Sequence, residues 1–201
     1  VIILALLLLI AGHTAIEYFS MRISLVILLC GLTLYLFGWA TAGVAALPLL
    51  YLFFMVPLPY IIYDAVAFPL KLFVAEYSVL TLKLMGVPVL REGNIIMFPE
   101  IVLEVADACS GIRSLISLLA LSVALAFMGE RATGARFVIA FSAIPIAVAT
   151  NGVRVVVTGV LSRTYGAAVA TGFFHEFAGL TVFAVAFVLL GLVAWLTRRW
   201  V

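Results

Sequence analysis

Charge is what this sequence has least of: Asp, Glu, Lys and Arg together make up 10% of its 201 residues. A soluble domain carries about 25% charged residues, so a water-facing globular surface is excluded. The eleven Lys and Arg form no block or stripe that would neutralise a series of phosphates, which argues against nucleic acid as a partner. Cysteine is also scarce. Cys30 and Cys109 are too few for a disulfide framework or a thiolate metal cage, although one bridge is formally open. Of the two histidines, His13 and His175, only the second has an acidic neighbour, Glu176. No second His stands at helical spacing from it, so no metal is expected. No Gly-rich loop follows a strand, so nucleotide hydrolysis is unsupported and no cofactor is expected.

What the chain does have is apolar length: 67% of it is hydrophobic, and its mean hydropathy is +1.37. A bilayer-crossing helix uses about 20 apolar residues, so about six spans and one substantial loop consume the chain. The fold class expected is an all-α polytopic membrane protein with an interfacial helix and a short β-hairpin, forming a single membrane domain over 1–201. Residues 1–59 supply N-terminal spans, at 1–19 (containing His13 and Glu17), 21–39 and 41–56, ending at Pro57 and Pro59. Residues 60–106 are expected on the outer side. Asp64, Lys71, Glu76 and Lys83 punctuate a helix that lies in the interface or packs on the other spans, a membrane span being the less favoured reading, and residues 91–106 form a hairpin around Phe98-Pro99-Glu100. Residues 107–201 then hold three strong spans, at 109–128, 135–161 and 172–196. The opening on Val1 inside an apolar run, rather than on Met, leads us to expect a fragment of a longer chain.

Short loops rich in Lys and Arg mark the cytoplasmic side of a membrane protein. Arg131 and Arg136 on one hand, and Arg198 and Arg199 on the other, are two spans apart and agree on one side; Arg163 alone runs against them. That orientation puts Cys109 at the outer end of its helix, Arg154 in the outer half of the next and His175 at the outer start of the last. Three reactive side chains then share a depth.

Each has two readings. Cys109 follows Glu104 and Asp107 and precedes Ser110-Gly111-Ile112-Arg113, at a helix N-terminus where free N–H groups, the helix dipole and Arg113 favour a nucleophilic thiolate. Alternatively it is a small buried hydrophobe, as Cys30 is. Arg154 lies in an apolar stretch where a lone charge costs about 2.5–3.5 kcal/mol or more. It serves either as an oxyanion or carboxylate clamp, helped by Asn151, or structurally, snorkelling to the outer interface or pairing with Asp107 or Glu104. His175 is either a general acid–base or an aromatic-belt residue among Phe173, Phe174 and Phe177. His13 has no companion and reads as structural.

The segment Glu104–Leu115, EVADACSGIRSL, followed by Asn151-Gly152-Val153-Arg154 and Phe173-Phe174-His175-Glu176, resembles the exosortase and archaeosortase family. The likeness extends upstream through Pro57, Pro59, Phe68-Pro69-Leu70, Gly86-Val87-Pro88 and Glu92-Gly93, so it covers about residues 55–190. It implies a membrane cysteine transpeptidase of a prokaryotic cytoplasmic (inner) membrane, with its active site toward the outer, periplasmic face. Its substrates would be membrane-anchored proteins with a C-terminal sorting tail, made of a recognition motif, an apolar helix and a basic cluster. The new carboxyl end would pass through a thioester to a cell-surface lipid or glycan acceptor. By the same resemblance Cys109, Arg154 and His175 are catalytic, and from their places beside these residues Arg113, Asn151, Asp107 and Ser110 are expected to support them. Two rivals stand beside it: an intramembrane cysteine protease that releases its product by hydrolysis, and a transporter or scaffold in which Arg154 binds an anion.

Overall fold

The structure is a computed structural model, which describes residues 1–99, 101–105, 111–129, 132–166 and 172–200, without the side chains of 172–176 and 200. Six α-helices and three short strands are present among the described residues: α1 (Ile2–Thr14), α2 (Tyr18–Tyr51), α3 (Tyr60–Leu84), β1 (Leu90–Glu92), β2 (Ile95–Met97), β3 (Val102–Glu104), α4 (Ile112–Gly129), α5 (Thr133–Tyr165) and α6 (Gly172–Trp200). Among the described residues five helical segments are long and apolar enough to cross a membrane, and α1 is a shorter apolar helix. The protein is therefore an all-α polytopic membrane protein, as its composition requires. The chain divides into two compact units, Val1–Tyr63 and Asp64–Val201.

In the first unit α1 and α2 form a helical hairpin. Glu17 begins α2 by accepting hydrogen bonds from the backbone N–H of Phe19 (3.2 Å) and Ser20 (2.7 Å), which supplies the first turn with acceptors it otherwise lacks. A Cβ added at Gly12 would stand 2.9 Å from Ser20 Cβ, and one at Gly31 would stand 3.0 Å from Val1 and Ile2. The two helices thus touch at both ends through small residues, the usual device where lipid provides no hydrophobic drive. At about 51 Å, the 34 residues of α2 exceed one bilayer crossing. Gly38 interrupts them at φ 75°, ψ 179°, at the boundary expected between spans 21–39 and 41–56.

The second unit is built around α5. One buried cluster joins α3 (Val74, Val79, Leu82), the strands (Ile96, with Phe98 and Val105 beside them) and Val155 of α5. A second joins Leu118 and Ala126 of α4, Ile139, Ala143 and Ala147 of α5, and Ala186 and Leu190 of α6. Alanines at 143 and 147 let α5 approach its neighbours closely. The spans α4, α5 and α6 lie within a few residues of their expected positions.

Two local expectations change. The helix expected in the interface is a 25-residue α3 that qualifies as a candidate span. The hairpin is a three-stranded antiparallel meander, β1-β2-β3. A two-residue turn at Gly93-Asn94 pairs Glu92 with Ile95, so the stretch before it becomes a strand. The Phe98 N–H donates to Ile101 O (2.8 Å) and closes the second turn.

Candidate functional site

Because α5 is packed on several sides, it holds polar residues that lipid would not accept. Asn151 and Arg154, one turn apart, are 3% and 8% exposed. Thr150, Arg154, Thr158 and Ser162 recur every four residues, and all are buried. That spacing stacks them along one face of the helix. The Thr150 hydroxyl donates to Ile146 O at 2.7 Å.

The N-terminus of α4 comes directly onto this face. Gly111 adopts φ +77°, and a Cβ there would lie 2.8 Å from both Cγ and Nδ2 of Asn151. Only glycine takes that backbone conformation without strain while leaving room for the amide. Gly111 O accepts from Leu115 N at 2.7 Å, which makes it the first carbonyl of α4. The positive end of the α4 dipole therefore stands against Asn151.

The third element is α6. The position of a Cβ on Gly179 lies 3.5 Å from Nη2 and 3.6 Å from Cζ of Arg154. The guanidinium of α5 thus lies against the α6 backbone. His175 stands four residues before Gly179 on the same helix, which is one helical turn.

From the other direction, the strands fasten onto α5 just beyond Arg154. Phe98 packs against Gly159, where its Cζ would be 2.8 Å from an added Cβ. Val105 is buried in the cluster that contains Val155. The chain on either side of segment 106–110 is thus held on α5 between Asn151 and Val155.

At the far end of the bundle the basic residues gather. The Arg136 guanidinium lies 5.1 Å from the Phe127 ring centroid, and that of Arg199 lies 4.0 Å from the Trp195 ring. Arg198 packs against Gly129 at the end of α4. Eighteen residues of helix separate Arg136 from Arg154, a rise of about 27 Å, close to the roughly 30 Å of a hydrocarbon core.

Residues 1–192 match the family model described as transmembrane exosortase (Exosortase_EpsH). The chain belongs to the transmembrane exosortase family. No match is found among curated proteins or among solved structures.

Of the residues that the sequence singled out in this exosortase, Asn151 and Arg154 are buried at the junction of α4, α5 and α6. Arg113 lies on an exposed part of α4. Cys109, Asp107 and Ser110 lie outside the described residues, as does the side chain of His175. His13 is exposed near the end of α1, and Cys30 is half-buried in α2. Among the described residues no three His, Cys, Asp or Glu side chains come together. Sequence reasoning missed the positioning glycines 111 and 179 and the polar ladder of Thr150, Thr158 and Ser162. The ladder had a readable signal, a four-residue repeat of polar residues inside an apolar span.

Arg154 and two residues of that ladder, Thr150 and Thr158, also border an apolar groove of about 590 Å³ between α5 and α6, closed on the α6 side by residues such as Phe177 and Thr181.

Proposed function

We propose that this exosortase is a membrane cysteine transpeptidase that cuts a C-terminal sorting tail from surface-directed proteins and transfers the new carboxyl end to a lipid or glycan acceptor. The observation that carries this reading is the meeting of three helices around Arg154: Gly111 of α4 on Asn151, and Gly179 of α6 on the guanidinium. Cys109 is two residues from Gly111, a chain reach of about 7 Å. His175 is one turn from Gly179. In this reading a nucleophile, a permanent cation and an acid–base group serve one junction.

In this mechanism the Cys109 thiolate, favoured by the α4 N-terminus and Arg154, attacks the scissile carbonyl carbon. The oxyanion that forms is held by the Arg154 guanidinium, with Asn151 beside it. The C–N bond then breaks, the nitrogen leaving as an amine with a proton from His175, and a thioester remains on Cys109. An acceptor amine or hydroxyl gives its proton to His175, attacks the thioester carbonyl and restores the thiolate. Asp107, Ser110 and Arg113 support the substrate or the thiolate in this scheme. The distance along α5 from the basic end supports an orientation with Arg136, Arg198 and Arg199 in the cytoplasm and the junction at the outer face of the cytoplasmic membrane.

The test is co-expression with a candidate tail-bearing protein, comparing wild type with Cys109→Ala and Cys109→Ser and following the new C-terminus by mass spectrometry. Cleavage lost in both variants, with an added mass on the wild-type product, is the expected result. A product ending in a free carboxyl indicates hydrolysis instead. Cleavage that persists without the thiol overturns the assignment and leaves Arg154 as an anion-binding residue.

A further inference from the structure

The two edges of the β1-β2-β3 sheet are unlike. In β3, Leu103 stands opposite Ile96. Two residues to either side, Val105 N donates to Asn94 O at 2.9 Å and Phe98 N donates to Ile101 O at 2.8 Å. Bonded pairs alternate along an antiparallel ladder, so the N–H and C=O of Leu103 turn to β2 while those of Val102 and Glu104 turn outward. Neither outward backbone has a hydrogen-bond partner among the described residues. On β1 the same alternation, counted from the Glu92–Ile95 pair at the turn, turns Arg91 outward. Its guanidinium reaches Gly93 O at 3.2 Å and Glu76 at 3.5 Å. A long charged side chain of that kind blunts an edge against pairing. β3 lacks such cover: Val102 is 68% exposed, and the Glu104 carboxylate turns back to Asn94 Nδ2 at 3.4 Å.

The sheet is also in the right place for a hydrated partner. Its Phe98 packs on Gly159, which lies 23 residues beyond Arg136 on α5, a rise of about 35 Å. That exceeds the roughly 30 Å of a hydrocarbon core, and an unpaired edge is tolerated only where lipid does not surround it. Outward N–H and C=O groups at every second residue match one ligand chemistry, the backbone of an extended peptide. A second copy of the edge is a poor occupant. Three residues of strand are about 10 Å long, far short of the 1,000 Å² or so that a lasting interface buries. A peptide already held elsewhere needs no such area. Five residues separate Glu104 from Cys109, a reach of about 17 Å at most.

We propose that the free edge of β3 takes an extended peptide as a fourth strand, bonded to the backbone of Val102 and Glu104, and that this peptide is the substrate segment beside the scissile bond. The second half rests on the transpeptidase reading. Strand addition reads backbone rather than side chains, so the edge aligns the segment while leaving its sequence to be discriminated elsewhere.

The experiment places photoreactive p-benzoylphenylalanine at Val102 of the full chain carrying Cys109→Ala, so that the reporter stays uncut. The co-expressed reporter ends in a recognition motif, an apolar helix and a basic cluster. Irradiation is expected to give an adduct that mass spectrometry maps to the segment just before the reporter's apolar helix. It should be about tenfold stronger than from the same probe at Leu90, equally exposed on β1, and should fall about tenfold in Glu104→Pro, which removes one outward N–H. Glu104→Ala keeps that N–H and should capture as before. Where Glu104→Pro lowers the thermal midpoint, a proline walked through the reporter segment replaces it, with capture expected to fall at every second position. An adduct only to lipid, to a second copy or to another part of the reporter overturns the proposal. So does equal capture from Leu90, an equal loss in Glu104→Ala, a proline walk without alternation, or no adduct. A reporter cut by the wild type but not captured at Val102 refutes the edge alone, and one captured but never cut by the wild type refutes the transpeptidase reading alone.

Discussion

Replacing Gly111 by Ala puts a methyl carbon 2.8 Å from Cγ and Nδ2 of Asn151 and 3.1 Å from its Cβ. Two penalties follow. An L-residue held in the left-handed region at φ +77° costs about 1–2 kcal/mol. Forcing a methyl into a contact with a side chain that is 3% exposed costs about 1–3 kcal/mol more. The sum is about 2–5 kcal/mol, unless the start of α4 moves away from α5 by up to about 1 Å. That relief displaces Cys109 relative to Arg154, and a misplacement of this size lowers turnover about 100-fold. The assay measures reporter cleavage per molecule of folded enzyme together with the thermal midpoint in detergent. Gly191→Ala is the control: it lies in α6 with nothing within 4 Å of the added Cβ and should not lower stability, helix propensity favouring alanine by up to about 1 kcal/mol. In an Asn151→Ala background the stability loss from Gly111→Ala should shrink, because Cγ and Nδ2 are gone. Wild-type cleavage and wild-type stability in Gly111→Ala would refute the argument that this close approach positions the nucleophile.

Arg154→Ala is expected to lower cleavage by about 10²–10³-fold, the usual loss for an oxyanion donor, and Arg154→Lys should not restore it because an ammonium lacks the planar fork. Full activity in the lysine variant would reduce the role of Arg154 to charge alone. Phe98→Ala, which empties the buried contact with Gly159, should destabilise the second unit by about 3–5 kcal/mol, read as a fall in thermal midpoint. The ion pair of Arg91 with Glu76 spans 3.5 Å, with side chains 31% and 65% exposed. Arg91→Ala should therefore change stability by less than about 1 kcal/mol, and a larger loss would mean that Arg91 does more than pair.

The spans α4, α5 and α6 were legible from hydropathy because an apolar run of that length has no other stable arrangement in a bilayer. The break at Gly38 was legible as the end of one apolar run and the start of another. α3 was read as interfacial because Asp64, Lys71, Glu76 and Lys83 interrupt it, yet Glu76 and Lys83 stand on exposed positions while Val74, Val79 and Leu82 face the core. Strand β1 was missed as a separate element because the turn that joins it to β2, Gly93-Asn94, is only two residues long, and a tight turn of that kind fixes the pairing register of a hairpin.

Membership of the transmembrane exosortase family was legible in the sequence alone through its motif order, and the expectation that the segments of Cys109, Arg154 and His175 share a depth rests on the placement of Arg131, Arg136, Arg198 and Arg199. Hydrophobic length and loop charge are local properties, and a membrane converts them directly into depth. Only the tertiary structure decided that Gly111 meets Asn151 and that Arg154 reaches across to Gly179. Those contacts depend on how closely neighbouring helices pack and at what rotation. Small residues on two distant segments set that jointly, and neither segment's periodicity contains it.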